Sequence, residues 1–167
     1  QLCLAEQIVQ GMELGEAQLA VKEILPHVLD GPGWKDTHTV QRWEGGVEKL
    51  HKFITGYRDQ GFDLETERTL RAQVGQTEDG IDVTLSGRAD LLVTNPEDGL
   101  TQVIDFKTGK KAVSEKAAEE SSQLRAYQFL LTLTERPGGD GHKYQPGGAA
   151  LVYPGTEGKR IAKPQAE

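Results

Sequence analysis

The sequence predicts an α/β domain in which a central mixed β-sheet is flanked by helices. Three observations predict it. Residues 81–93 alternate strictly, with Ile81, Val83, Leu85, Gly87, Ala89, Leu91 and Val93 on one face and Asp82, Thr84, Ser86, Arg88 and Asp90 on the other, which is strand periodicity. Val40, Trp43, Val47, Leu50, Ile54 and Tyr57 recur at helical spacing, the mark of a helix with one apolar face. A helical stretch over 115–134 then lies between two apolar strands, 102–107 and 149–153, the order of a strand–helix–strand unit.

A chain of 167 residues is one domain with one core, here divided into a helical part over 1–60 and a sheet-centred part over 64–154. Hydrophobic residues at 36% with 20 glycines imply a modest core and many turns. No apolar run approaches the ~18 residues of a membrane-spanning helix, and no leader pattern opens the chain, so a cytoplasmic protein with no membrane partner is expected. The single cysteine, Cys3, excludes an internal disulfide and a zinc cluster built from this chain's thiols. The formal charge of −7 runs against an autonomous duplex-binding surface, since neutralising phosphates takes cations. The opening Gln1-Leu2-Cys3-Leu4 already reads as helix, so a piece of a longer protein is expected, with the remainder supplying basic surface.

Taken in order, residues 2–29 are helical. Ile8, Val9 and Met12 form one apolar cluster, and Leu19, Ile24, Leu25 and Val28 a second. Gly11 and Gly15 mark a break, and Pro26 kinks or ends the second piece. Gly31-Pro32-Gly33-Trp34 is a turn, after which Thr37 or Thr39 caps the amphipathic helix, locally weakened by Gly45-Gly46. Gly61 ends the helical part. Residues 64–74 read as a strand, with Leu70, Ala72 and Val74 alternating, and 76–80 as a hairpin turn closed by Asp79-Gly80. The strand over 81–93 turns through Asn95-Pro96-Glu97-Asp98-Gly99 into 102–107. After the 115–134 helix, Pro137 to Gly148 is rich in glycine and proline and reads as a flexible loop. Ala149 to Tyr153 is a buried strand beside the Asp105 strand, and Lys159 to Lys163 adds an edge strand.

The chemistry concentrates in Gly87-Arg88-Ala89-Asp90 and Val103-Ile104-Asp105-Phe106-Lys107-Thr108-Gly109. Two carboxylates on adjacent strands suit Mg²⁺, a hard cation that takes oxygen ligands and keeps several waters. Lys107, two residues past Asp105, points to the same space, where it orients an attacking water or offsets charge developing on phosphorus. The plain alternative is a surface hairpin with an Asp–Lys pair, which is common and weak. Glu67 is either a third acidic group at the site or a solvated strand-end glutamate. Lys110, Lys111 and Arg125 are either phosphate contacts or solubilising charges. Gln123 and Tyr127, four apart on one helix, share a face.

With that pair in place, the chain resembles a RecB-type nuclease domain of the PD-(D/E)XK superfamily. Such domains carry Gly-X-X-Asp, Asp-X-Lys-Thr/Ser-Gly and Gln-X-X-X-Tyr in this order, and the resemblance covers residues 64–154. The run Gly147 to Pro154 is similar to the last strand of AddB/AdnAB-like helicase–nucleases. The resemblance implies a restriction-endonuclease-like core and Mg²⁺- or Mn²⁺-dependent hydrolysis of DNA. It implies an exonuclease module of a DNA-repair helicase–nuclease. Asp90, Asp105 and the Phe106 carbonyl would hold metal, Lys107 would position or activate water, and Gln123 and Tyr127 would orient substrate. It further implies single-stranded DNA as substrate, and as partners a motor domain of the same chain and a second helicase–nuclease subunit. Some relatives hold a four-cysteine iron–sulfur cluster, which one cysteine excludes. The histidine that such domains carry on an N-terminal helix would fall at or before residue 1, and His27, His38, His51 and His142 sit in other contexts. The rival expectation is a nuclease fold that binds DNA or a partner subunit without cutting.

Overall fold

A computed structural model describes residues 4–28, 37–108, 111–138, 141–156 and 158–163. Helices α1 (Leu4–Val9), α2 (Leu14–Val28) and α3 (Thr37–Asp59) precede strands β1 (Asp63–Gln76), β2 (Asp82–Thr94) and β3 (Leu100–Phe106). Helices α4 (Glu115–Glu119) and α5 (Ser122–Leu133) then cross to β4 (Gln145–Tyr153), and β5 (Gly158–Ala162) closes the chain. The five strands form one sheet in sequence order. All neighbours are antiparallel except β3 and β4, which are parallel. This is the expected mixed sheet, and the α4–α5 passage is the crossover that a parallel pair requires. Cys3 and the 31–34 turn lie outside the described residues, as do the side chains of Val28, Thr37, His38 and Thr39.

The sheet buries both faces. One carries Leu92, Val103, Ala149 and Leu151 against Leu124, Tyr127, Leu130 and Leu131 of α5. The other carries Leu91, Val93, Ile104 and Val152 against Ile8 of α1 and Ile54 of α3. The amphipathic stripe of α3 is core as expected, with Val47 and Ile54 buried and Phe53 joining it. The predicted turns are formed: Gly80 and Gly99 adopt φ of 79° and 74°, and the Asn95 side chain caps its turn by accepting from the Glu97 amide.

Four expectations are corrected. The single long helix over 115–134 is two helices. Ser114 and Ser121 each accept a hydrogen bond from the amide three residues on, so Ser121 starts a new helix rather than continuing the old one. In α2, Leu19 is 59% and Ile24 37% exposed. This helix packs against α3, and its inner stripe is Ala17 and Leu25, both buried. The Pro146-Gly147-Gly148 stretch belongs to β4 rather than to a loop. Any Cβ on Gly147 would lie 3.1 Å from Leu100 Cβ and 3.3 Å from the Thr101 backbone, so glycine permits a close strand approach at the register shift between Thr101 and Val103.

The fourth correction bears on the site. The alternation over 81–93 does not run through one face. Leu85 and Ala89 join the α5-side core, whereas Leu91 and Val93 join the α1/α3-side core. On β1 the same inversion separates Leu70 from Leu64. The pairs Thr66–Leu91 and Arg68–Ala89 bracket it, leaving Glu67 opposite Asp90. Glu67 adopts φ 52°, a left-handed conformation that costs a non-glycine residue of order 1–3 kcal/mol. That twist turns the outer half of the hairpin onto α5.

Candidate active site

The ladder between β2 and β3 runs from Thr94–Thr101 to Leu91–Ile104. One step further along the same register sets Asp90 opposite Asp105, on the face toward α5. The Phe106 amide donates to Asp90 Oδ2 at 2.7 Å, which ties the two acidic strands together where their ladder ends. Phe106 thus places its backbone beside the carboxylate pair, while its ring packs edge-on against Phe53, 6.0 Å between centroids. The Lys107 amide donates to the Val152 carbonyl at 2.8 Å, so β4 fixes the strand end that carries the lysine.

Asp105 is 5% exposed. Its Oδ2 lies 2.6 Å from Lys107 Nζ, a close ion pair. The lysine also donates to Gln123 Oε1 at 3.2 Å, so α5 holds the ammonium over the acids. Burial pushes the Asp90 carboxyl above the ordinary aspartate range. The Phe106 hydrogen bond opposes the rise, and the charges of Asp105 and Glu67 add to it. For Lys107, burial disfavours the charge, but its contact with Asp105 and the charges of Asp105 and Asp90 outweigh that and raise it. Lys107 is therefore a cation at neutral pH, suited to orienting water and stabilising anionic charge rather than to removing a proton.

A divalent cation fits this donor set. Asp105 is a buried carboxylate with Lys107 on its Oδ2, Asp90 keeps Oδ1 beyond its bond to Phe106, and crowded carboxylates gain from a cation between them. Among the described residues no group of three or more His, Cys, Asp and Glu side chains is placed to ligate one ion. The site is thus an open pair of carboxylates, which matches how Mg²⁺ is held when substrate and water complete its shell.

Tyr127 is 8% exposed and donates to the Arg88 carbonyl at 2.8 Å. Any Cβ on Gly87 would lie 3.0 Å from Tyr127 Cε1. The glycine of Gly-X-X-Asp thereby seats the tyrosine of Gln-X-X-X-Tyr, and the hydroxyl secures β2 two residues before Asp90. Burial, followed by the Asp105 charge, raises the Tyr127 phenol.

Glu67 faces the site from β1 and pairs with Arg88 at 2.8 Å. Its charge reaches Asp90, but it is not a solvated strand-end residue, because the strand continues on both sides of it. The ion pair with Arg88 was not foreseen; a pairing across strands leaves no local signal. Arg125 donates to the Glu119 carbonyl at 3.2 Å, closing the break between α4 and α5. Lys111 is exposed, and Lys110 and Gly109 lie outside the described residues. His51 bonds to the Met12 carbonyl at 3.0 Å, holding the α1–α2 junction to α3, as a structural histidine does.

The model of the PD-(D/E)XK nuclease superfamily matches residues 3–167. The chain belongs to that superfamily. Its five-stranded mixed sheet with flanking helices is a restriction-endonuclease-like α/β fold. Membership of the PD-(D/E)XK superfamily associates the chain with nuclease chemistry, divalent metal and nucleic-acid binding. No curated protein matches. The solved structure described as "Crystal structure of SSO0001" is similar over 76% of this chain and 60% of that one, at 17% identity and a TM-score of 0.35. This chain thus spans less than two thirds of that one. Among the described residues no helix is long and apolar enough to cross a membrane.

Proposed function

We propose that this domain is a Mg²⁺-dependent DNA phosphodiesterase, an exonuclease module acting on single-stranded DNA. The observation that carries the reading is the convergence of Asp90, Asp105 and Lys107 at the end of β3, with the Asp105 carboxylate buried and its Oδ2 2.6 Å from the lysine ammonium. Asp90, Asp105 and the Phe106 carbonyl would hold the cation, which supplies Lewis-acid stabilisation of charge on the phosphoryl oxygens. Lys107, held by Gln123 and Asp105, orients the attacking water and meets negative charge as it develops at phosphorus. Tyr127 keeps Asp90 in place by bonding to the backbone two residues away.

The order of motifs further supports a place within a DNA-repair helicase–nuclease, working beside a motor domain and a second subunit that deliver the strand. A net charge of −7 fits a domain that receives DNA rather than captures it. The same charge favours a second reading, a nuclease fold that binds DNA or a partner without cutting.

The test is cleavage of end-labelled single-stranded DNA in Mg²⁺, Mn²⁺ or EDTA by the wild type, Asp90→Ala and Lys107→Ala. Metal-dependent cutting lost in both variants is the expected result. Cutting that survives both substitutions, or proceeds in EDTA, would place the chemistry elsewhere. Binding without cutting under every condition leaves the second reading.

A further inference from the structure

The ladder of β1 and β2 runs well past the end of β3, which covers β2 only from Leu91 to Thr94. This outer ribbon has two unlike faces. Leu70, Ala72, Leu85 and Ala89 turn toward the core. Alternation puts Thr69, Arg71 and Gln73 on the other face, directly across from Arg88, Ser86 and Thr84, and all six are exposed. No carboxylate stands among them. Glu67 bounds the face at its inner end and Asp82, held by Gln73 and Gln76, at its outer end. Arg71 and Arg88 are diagonal neighbours in this ladder, a spacing of about 7–8 Å. Arg88 meets Glu67 through Nε at 2.8 Å and stays 67% exposed, which leaves its terminal nitrogens open to solvent. Two guanidiniums thus share one carboxylate, and the patch is positive in a chain of net charge −7. Glu67 joins it to the site, since it stands opposite Asp90 and its charge reaches the Asp90 carboxyl. It does so at φ 52°, a strained backbone of the kind that collects at ligand-binding sites.

We propose that this ribbon face binds the phosphate backbone of a DNA strand beside the catalytic carboxylates, with Arg88 and Arg71 on neighbouring phosphates and the hydroxyls of Thr69, Thr84 and Ser86 donating to backbone oxygens. The inference rests on the nuclease reading and adds to it the path of the strand on one side of the site. The chemistry of the face selects the backbone. It carries no aromatic ring on which a base could stack, and its donors are those that position phosphates without reading sequence. Arginine suits the arrangement, because Nε can remain on Glu67 while the planar fork of terminal nitrogens meets a phosphate. The exposed pair with Glu67 contributes only ~0–1 kcal/mol to the fold, so stability alone gives little reason for it. Acids at both ends confine the contact to the phosphates that the two arginines reach.

The test measures the salt dependence of binding of labelled single-stranded oligonucleotides, in EDTA and again in Ca²⁺, for the wild type, Arg88→Gln, Arg71→Gln and Arg88→Lys. Lys22→Gln removes the same charge from α2, where Lys22 pairs with Glu44, and serves as the control. All these side chains are exposed, so the variants are expected to fold as the wild type does, which circular dichroism checks. Each arginine-to-glutamine change is expected to lower the slope of log binding constant against log salt by ~0.7 and to weaken binding about fivefold at ~0.1 M salt, the loss for one single-strand phosphate contact. Arg88→Lys keeps most of the slope, and Lys22→Gln leaves it unchanged. Wild-type slopes in both glutamine variants, or an equal loss in Lys22→Gln, overturn the proposal. So does a wild type that binds no DNA under either condition, or one that binds poly-glutamate through these arginines and ignores DNA. Cleavage of the same strands in Mg²⁺ separates the two readings. Slope losses without cleavage remove the nuclease and leave the surface, whereas cleavage with unchanged slopes does the reverse.

Discussion

Alanine at position 87 would put a Cβ 3.0 Å from Tyr127 Cε1 and 3.7 Å from Leu130 Cδ1. The nearer distance is too short for an unmoved ring. The tyrosine cannot retreat freely, since its hydroxyl is tied to the Arg88 carbonyl and the side chain is 8% exposed. Overpacking of this kind costs about 1–3 kcal/mol. Against it stands a gain of roughly 0.5–1 kcal/mol from replacing a strand glycine with alanine. The expected net loss is about 0.5–2 kcal/mol, or a fall of about 1–8 °C in Tm for a domain of this size. In a Tyr127→Leu background the ring atom is gone, and the same substitution should be neutral or stabilising. Thermal or urea unfolding of the four proteins closes the cycle, with a coupling of ~0.5 kcal/mol or more between the two sites. Equal destabilisation by Gly87→Ala in both backgrounds would refute the idea that this glycine exists to seat the tyrosine.

Further outcomes bear on the acids and the core. Because burial and neighbouring charge raise the Asp90 carboxyl, its penalty is absent well below pH 3.8 and grows as pH rises from there through the raised value, so wild-type stability without metal should fall across that window. Asp90→Asn should flatten that part of the Tm–pH curve and abolish the cation-induced stabilisation, which for wild type at a Mg²⁺ concentration ten times Kd is ~1.4 kcal/mol and is read as a rise in Tm. An unchanged pH profile in Asp90→Asn would contradict the assignment. Thr94 and Thr101 share a buried hydrogen bond of 2.9 Å across β2 and β3; Thr94→Val should cost about 1–3 kcal/mol in urea unfolding by stranding Thr101 Oγ1, and Thr94→Val with Thr101→Val less. Tyr127→Phe should cost about 1 kcal/mol and slow cleavage more than it weakens DNA binding, a split that a steady-state comparison of kcat with KM reads directly.

The hairpin, the turns and the α3 stripe were legible because each is written locally, in alternation, in Asp79-Gly80 and Asp98-Gly99, and in a 3.6-residue repeat. The ordered motifs likewise brought Asp90, Asp105, Lys107 and Gln123 to one place, because register and helix geometry fix those neighbours once the strands pair. What was not legible depends on distant partners. The inner face of α2 is chosen by α3, so Leu19 and Ile24 look like core in isolation and face water in the fold. The break at Ser121 turns on a side chain competing for backbone amides, which a helical repeat of leucines conceals. Tyr127 seats on Gly87 and Arg88, residues 39–40 positions away.

The inversion at Glu67 and Asp90 splits the hairpin's allegiance. Its outer half packs on the α5 side, whereas its inner half is covered on both faces, by α5 on one and by α1 and α3 on the other, and β2 pairs with β3 only over the inner half. Cooperative opening units tend to follow such packing boundaries. Asp90 therefore sits on the seam between two of them, while Asp105 lies wholly within the inner one. Fraying of the outer ribbon, which β3 does not support, would displace Asp90 while Asp105 stayed in the inner sheet, protected from hydrogen exchange. Anything that holds the outer ribbon in place, a bound strand or a neighbouring domain, would then keep the two carboxylates together without touching them.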